Sequence, residues 1–183
     1  MNRRSFVTIG ATSLCAAPLM GFSMFERYIA AKPAWLLEWI MIYDQGYVNY
    51  KPLKVTDVNN TYFGGYMNDV EIPNPHSTAG FTMVSCMLMS CPESAYYQSK
   101  EVLKEVEAAV RCLLKMQHSD GTIDLLETNF HSTPDTGFIL ENIVPAYKFL
   151  KQANVKGSET TLELIKTFLK NAGEALAAGG IHT

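Results

Sequence analysis

Apolar positions along this chain recur at helical spacing in five places, and no stretch alternates convincingly at the period of two that marks a half-buried strand. Residues 25–43 are largely apolar, with Trp35, Leu36, Trp39, Ile40 and Ile42 on recurring helical positions and Pro33 suited to a first turn. Asp44-Gln45-Gly46 is the expected stop. Residues 45–75 then read as a long irregular stretch dense in Tyr, Asn and Gly. Loops of that length are usually functional or disordered. Five tyrosines in or beside this one, Tyr43, Tyr47, Tyr50, Tyr62 and Tyr66, argue for order.

Residues 78–91 predict a mostly apolar helix stopped by Pro92. In residues 94–117, Val102, Val106, Ala109, Leu113 and Met116 step three or four apart, so one face is expected to be buried. Residues 136–152 predict another apolar helix. Thr133 can cap it, Pro134 suits its first position, Asp135 complements the dipole, and Pro145 is expected to kink it. The last helix, residues 160–177, carries Leu162, Ile165, Leu169, Ala172 and Leu176, with Thr160 and Glu163 placed for a capping box and Gly179-Gly180 at its end. A weak internal repeat joins these elements. His76-Ser77-Thr78 and His131-Ser132-Thr133, 55 residues apart, each open an apolar helix after a polar loop. Helix pairs at such a period suggest a solenoid or a closed ring of hairpins.

The amino terminus changes the picture of where the chain works. Arg3 and Arg4 precede a weakly apolar run, residues 6–22, rich in Ala, Gly, Ser and Thr. This is the layout of an export signal, and Asn2-Arg3-Arg4-Ser5-Phe6-Val7 resembles a bacterial twin-arginine signal. Residues 1–23 are therefore expected to engage the Tat export machinery, with the remainder periplasmic or extracellular. The plainer reading is an ordinary secretory signal that happens to hold two arginines. The 183-residue chain has 15 basic and 18 acidic residues; without the two signal arginines the balance is 13 to 18, a net charge of −5. That excludes the basic face a nucleic-acid partner needs. Beyond the signal no apolar run is long enough to cross a bilayer. Cys86, Cys91 and Cys112 match no zinc spacing, and are expected as small hydrophobes rather than disulfide partners. Neither a metal nor a cofactor is expected.

Candidate chemistry concentrates after the helix over residues 94–117. Asp120-Gly121 is a strong turn signal, and the loop beyond it carries Asp124, Glu127, Asn129, His131 and Asp135 close to the next helix start. Titratable groups on a loop held by rigid helices are the form of a binding or catalytic rim. Each also has a plainer reading. Asp135 serves as a helix-start acid, Asp120 as a turn residue, and Glu127 as solvated surface. Asn129, His131, His76 and His118 can simply satisfy loop backbone. Tyr62 and Tyr66 form either an aromatic cover over a core or a sugar-stacking surface.

Gln117-x-x-Asp120-Gly121 resembles the helix-ending turn of α/α-toroid proteins. The run from Glu127 to Thr136 and the ending Gly179-Gly180-Ile181-His182-Thr183 look more specifically like exported toroid proteins related to polysaccharide lyases, of the heparinase-like and rhamnose–glucuronate lyase kind. The likeness covers about residues 94–183. It implies β-elimination of a uronic-acid glycan, with Asn129 neutralising the uronate carboxylate and His131 as base or substrate ligand. His182 is a second candidate base, and Tyr62 or Tyr66 a candidate acid. An unperturbed imidazole, with a pKa of about 6.5, can accept such a proton. Glu127, Asp124, Asp135 and His76 would then line the substrate. Family members are far longer and carry a β-sandwich half. The expectation is thus an all-α chain of antiparallel helical hairpins forming part of an incomplete α/α-toroid over residues 24–183, truncated at its C-terminal end and inactive alone. Two other readings stay open: a glycoside hydrolase using two of Asp124, Glu127 and Asp135, and a non-catalytic glycan-binding protein gripping through Tyr62 and Tyr66.

Overall fold

The computed structural model describes residues 32–179; the expected export signal and the candidate His182 lie outside the described residues. From Ala34 onward the described residues belong to one unit. They form α1 (Ala34–Tyr50), which runs into a short 3-10 turn (Lys51–Leu53), then α2 (Pro75–Ser90) and α3 (Lys100–Met116). A small hairpin of β1 (Ile123–Leu125) and β2 (Asn129–Ser132) follows, then α4 (Thr133–Gln152) and α5 (Glu159–Ala178). The chain is mostly helical, as the periodicity implies. The hairpin departs from that reading: β1 and β2 pair antiparallel, Ile123 opposite Ser132 and Leu125 opposite Asn129, with an irregularity between them. Strands this short contain too few residues to display a period.

Helix α2 is the centre. Pro75 takes its first position, and the Asn74 side chain accepts a hydrogen bond from the Ser77 N–H at 3.0 Å. Ala79, Phe81, Cys86, Leu88 and Met89 are all sealed from solvent on it. It packs against α1, α3 and α4, while α5 packs against α3 and α4. The unit is therefore two stacked hairpins, α2–α3 and α4–α5, with first helices in contact and second helices in contact. Both first helices begin at one end, where His76 meets Asp135. At the other end the hairpin turns meet: Gln98 donates to the Ala153 carbonyl at 3.1 Å and accepts from the Lys156 N–H at 3.3 Å.

The internal repeat is present in the fold, but in a different register from the His-Ser-Thr match. Thr78 and Thr136, 58 residues apart, each occupy the fourth position of their helix with no exposed surface. Each donates its hydroxyl to the N-cap carbonyl, Asn74 at 2.8 Å and Ser132 at 2.6 Å. Each accepts from a loop N–H, that of Tyr66 at 3.0 Å and that of Ile123 at 2.9 Å. Two residues before each of those amides stands a glycine with positive φ, Gly64 at 85° and Gly121 at 86°. A Cβ on Gly64 would sit 2.8 Å from the Ala108 Cβ of α3, and one on Gly121 would sit 2.1 Å from the Asn171 carbonyl of α5. Each loop thus presses a bare backbone on the second helix of a hairpin and bolts itself to the first. His76 and His131 are not equivalent in this register: His76 lies inside α2, whereas His131 precedes the Ser132 cap of α4.

Other local expectations shift for identifiable reasons. Helix α1 continues through Gly46 to Tyr50 because Tyr47 and Tyr50 pack on Phe81, with ring centroids 5.9 and 5.6 Å away. Asp44, expected at the stop, instead accepts from the Ser94 hydroxyl and the Ala95 N–H. Ser132 rather than Thr133 caps α4, accepting from the Asp135 N–H at 3.1 Å. Thr160 lies within α5, whose N-cap is Ser158. The buried stripe of α5 runs through Thr161, Ile165, Phe168, Ala172 and Ala175, one step round from the expected face, leaving Leu176 exposed. Pro145 stands inside a helix that spans it. Cys86 and Cys112 are buried free thiols. Among the described residues no helix is long and apolar enough to cross a membrane. Helix α1 is apolar nearly all round but fully buries only Ile40 and Tyr47; Trp35, Trp39 and Ile42 are exposed.

Candidate functional site

The polar loops gather at the end where α2 and α4 begin, because both helices start there and β1–β2 is clamped over the start of α4 by the Thr136 bolt. All three histidines of the described residues lie at this end, and each is paired with an aspartate: His76 with Asp135, His118 with Asp124, and His131 with Asp120.

The first pair is the better enclosed. Asp135 sits at the third position of α4 with a side chain only 9% exposed, and its Oδ1 lies 3.2 Å from His76 Nε2. Its other oxygen accepts from the Asn129 carboxamide at 2.9 Å and from the Ser132 hydroxyl. Burial pushes this carboxyl upward. Hydrogen bonds from Ser132, Asn129 and His76 more than offset it and hold the group below its ordinary value. The first-turn dipole of α4 favours the same charge. In the tautomer that donates from Nε2 to Asp135, Nδ1 is the acceptor nitrogen of the His76 ring.

The second constellation is a stack. The rings of His118 and His131 lie 3.8 Å apart at 18°. His118 Nε2 is 2.7 Å from Asp124 Oδ1, and the same oxygen accepts the His131 backbone N–H at 2.7 Å. His131 Nδ1 lies 2.8 Å from Asp120 Oδ2 and 3.2 Å from the Thr122 hydroxyl. The Thr122 hydroxyl and amide, with His131, hold the Asp120 carboxyl well below the usual carboxylate range. His131 has φ of +51°, a left-handed conformation uncommon for a side-chain-bearing residue. The ligand atoms of His118, Asp124 and His131 all lie within 4.8 Å of one another, which makes this the one His-containing group among the described residues placed to hold a metal ion.

Asn129 and His131, expected to act together, are two residues apart on β2 but join different networks: Asn129 the Asp135–His76 pair, and His131 the stack. Glu127 is exposed and accepts from the carboxamides of Asn68 and Asn74. Asp124 is committed to the two histidines. Tyr62 is half-buried and lines a cleft of about 130 Å³ together with Pro75, Lys115, His118 and Asp124. Tyr66 does not join it. Its ring is 1% exposed and stacks on Phe81 at 4.0 Å, and burial first, then the nearby Glu105, pushes its phenol far above its ordinary value. It is a core residue, out of reach of a substrate. His118 and Asp120, which the sequence offers as a loop-backbone partner and a turn residue, join the site through His131. The signal was present in His118-x-Asp120, but only the hairpin brings His131 back over that turn.

No known family pattern, curated protein or solved structure matches the chain.

Proposed function

We propose that this rim binds a uronic-acid glycan and cleaves it by β-elimination, in an exported protein whose hairpins are arcs of an α/α-toroid. The observation that carries the reading is the His76–Asp135–Asn129 network, an oriented imidazole beside a carboxamide. His76 Nδ1 takes the proton from C5 of the uronate, with Asp135 stabilising the imidazolium that forms. The second N–H of the Asn129 carboxamide, whose first is held by Asp135, binds the uronate carboxylate and favours charge developing next to it. The C4–O bond breaks as the C4=C5 double bond forms, and the phenol of Tyr62 in the adjacent cleft protonates the departing oxygen. Stacked like-on-like hairpins support the toroid reading, and Asn2-Arg3-Arg4-Ser5-Phe6 supports export through the twin-arginine route.

The test is incubation with uronate-containing polysaccharides while following near-ultraviolet absorbance of the unsaturated product. His76→Ala and Asn129→Ala should each abolish the signal, and Tyr62→Phe should slow it. New reducing ends without that absorbance would replace elimination by hydrolysis. Glycan affinity without turnover, surviving His76→Ala and Asn129→Ala but lost in Tyr62→Ala, would make the protein a binder.

A further inference from the structure

We propose that His118, Asp124 and His131 form a binding site for a first-row divalent transition-metal ion, independent of the glycan reading. Two imidazoles and one carboxylate are the donor set that such ions prefer over calcium or magnesium, which favour all-oxygen sites. The three groups come from different pieces of chain: the exit of α3, strand β1 and strand β2. Convergence of separate segments is harder to explain by turn formation than a local acidic cluster would be. One ligand atom from each lies within 4.8 Å of the others. Tetrahedral ligands about 2.1 Å from zinc stand about 3.4 Å apart, so separations of up to 4.8 Å must close by up to about 1.4 Å on binding, and the stacked rings must turn apart.

The surroundings match what a metal-binding histidine needs. His131 Nδ1 lies 2.8 Å from Asp120 Oδ2, and the other oxygen of that carboxylate accepts from the Thr122 hydroxyl and amide. A histidine hydrogen-bonded to a carboxylate through one ring nitrogen can coordinate a metal through the other, the carboxylate–histidine arrangement that raises ligand basicity. His118 Nε2 already touches Asp124 Oδ1 at 2.7 Å. Asp120 is a positioning residue, acting through His131. The cleft beside His118 and Asp124 leaves room for water or a substrate oxygen to complete the coordination shell.

The experiment titrates the purified, tag-free and chelator-treated chain with Zn2+ by calorimetry, and with Co2+ by visible absorption. One Zn2+ per chain is expected, with Co2+ ligand-field bands and no sulfur-to-cobalt charge transfer. His118→Ala and His131→Ala should each weaken binding at least about tenfold, and Asp120→Asn by about tenfold or more. Asp124→Asn, which keeps the shape, guards against a variant that merely fails to fold, and circular dichroism checks each. His76→Ala should leave zinc affinity unchanged while ending glycan cleavage, so the two proposals fail separately. No uptake at micromolar zinc, uptake unchanged in the His118→Ala/His131→Ala double variant, or a thiolate charge-transfer band would each overturn the site.

Discussion

Replacing Thr136 by Val tests the bolt that seats the site-bearing hairpin. The change keeps the side-chain shape and removes a hydroxyl that accepts from the Ile123 N–H at 2.9 Å and donates to the Ser132 carbonyl at 2.6 Å, with no exposed surface. The Ile123 amide loses its side-chain acceptor while remaining buried, which costs about 1–3 kcal/mol. The added methyl returns about 0.8 kcal/mol through burial. The expected net loss is about 1 kcal/mol, read as a lower urea midpoint at unchanged slope. Thr78→Val should lose a similar amount, since it occupies the same place for the Tyr66 amide at 3.0 Å. Amide hydrogen exchange gives the sharper readout: Ile123 should lose protection in Thr136→Val and Tyr66 in Thr78→Val, each without the other. A loss below about 0.5 kcal/mol, the range of an ordinary surface substitution, or unchanged exchange at Ile123, would refute the reasoning.

Three further outcomes are expected. Gly121→Ala should destabilise by about 3 kcal/mol or more in denaturant titration, combining positive-φ strain with a Cβ 2.1 Å from the Asn171 carbonyl. Gly137→Ala, a helical position with open space around it, should stabilise by about 0.5–1 kcal/mol. Glu105 gives a pH-dependent contribution. Burial raises its carboxyl, but the hydrogen bonds from Lys54 at 2.8 Å and Tyr47 at 2.6 Å bring it below its ordinary value. A depressed folded-state value means stability that is full above the unfolded carboxylate range and falls away as acid protonates the group. Glu105→Gln should therefore flatten the acid limb of the stability profile, measured by thermal melts between neutral and acid pH.

The helices were legible because α3 spans enough turns for Val102, Val106, Ala109 and Leu113 to declare one face, and all four are buried. Helix α1 was harder to bound, since residues apolar on every side carry no phase, and its continuation through Gly46 depends on Phe81 from another element. The hairpin was invisible because three and four residues cannot show a period, and much of the site followed it into obscurity. Asn129, His131, Asp135 and His76 were picked out as chemistry-bearing types on helix-flanking loops, and they do lie at one end. Their pairing was not readable: His131 contacts Asp120 and His118 only after β2 folds back. Tyr66 illustrates the opposite problem. A phenol in a Gly-rich loop looks available until Phe81 and Tyr50 are placed around it.

The threonine bolts also divide the rim into cassettes. From Tyr66 to Asn74 and from Ile123 to Ser132 the chain is pinned at both ends to the same helix, one pin a side-chain hydroxyl and the other the capping residue. Whatever lies between the pins can be lengthened, shortened or exchanged without disturbing the helices below, because closing a longer surface loop adds little entropy. A library confined to residues 125–128 and 130, leaving Asp124, Asn129 and His131 in place, would accordingly resculpt specificity on a scaffold that keeps its own fastenings.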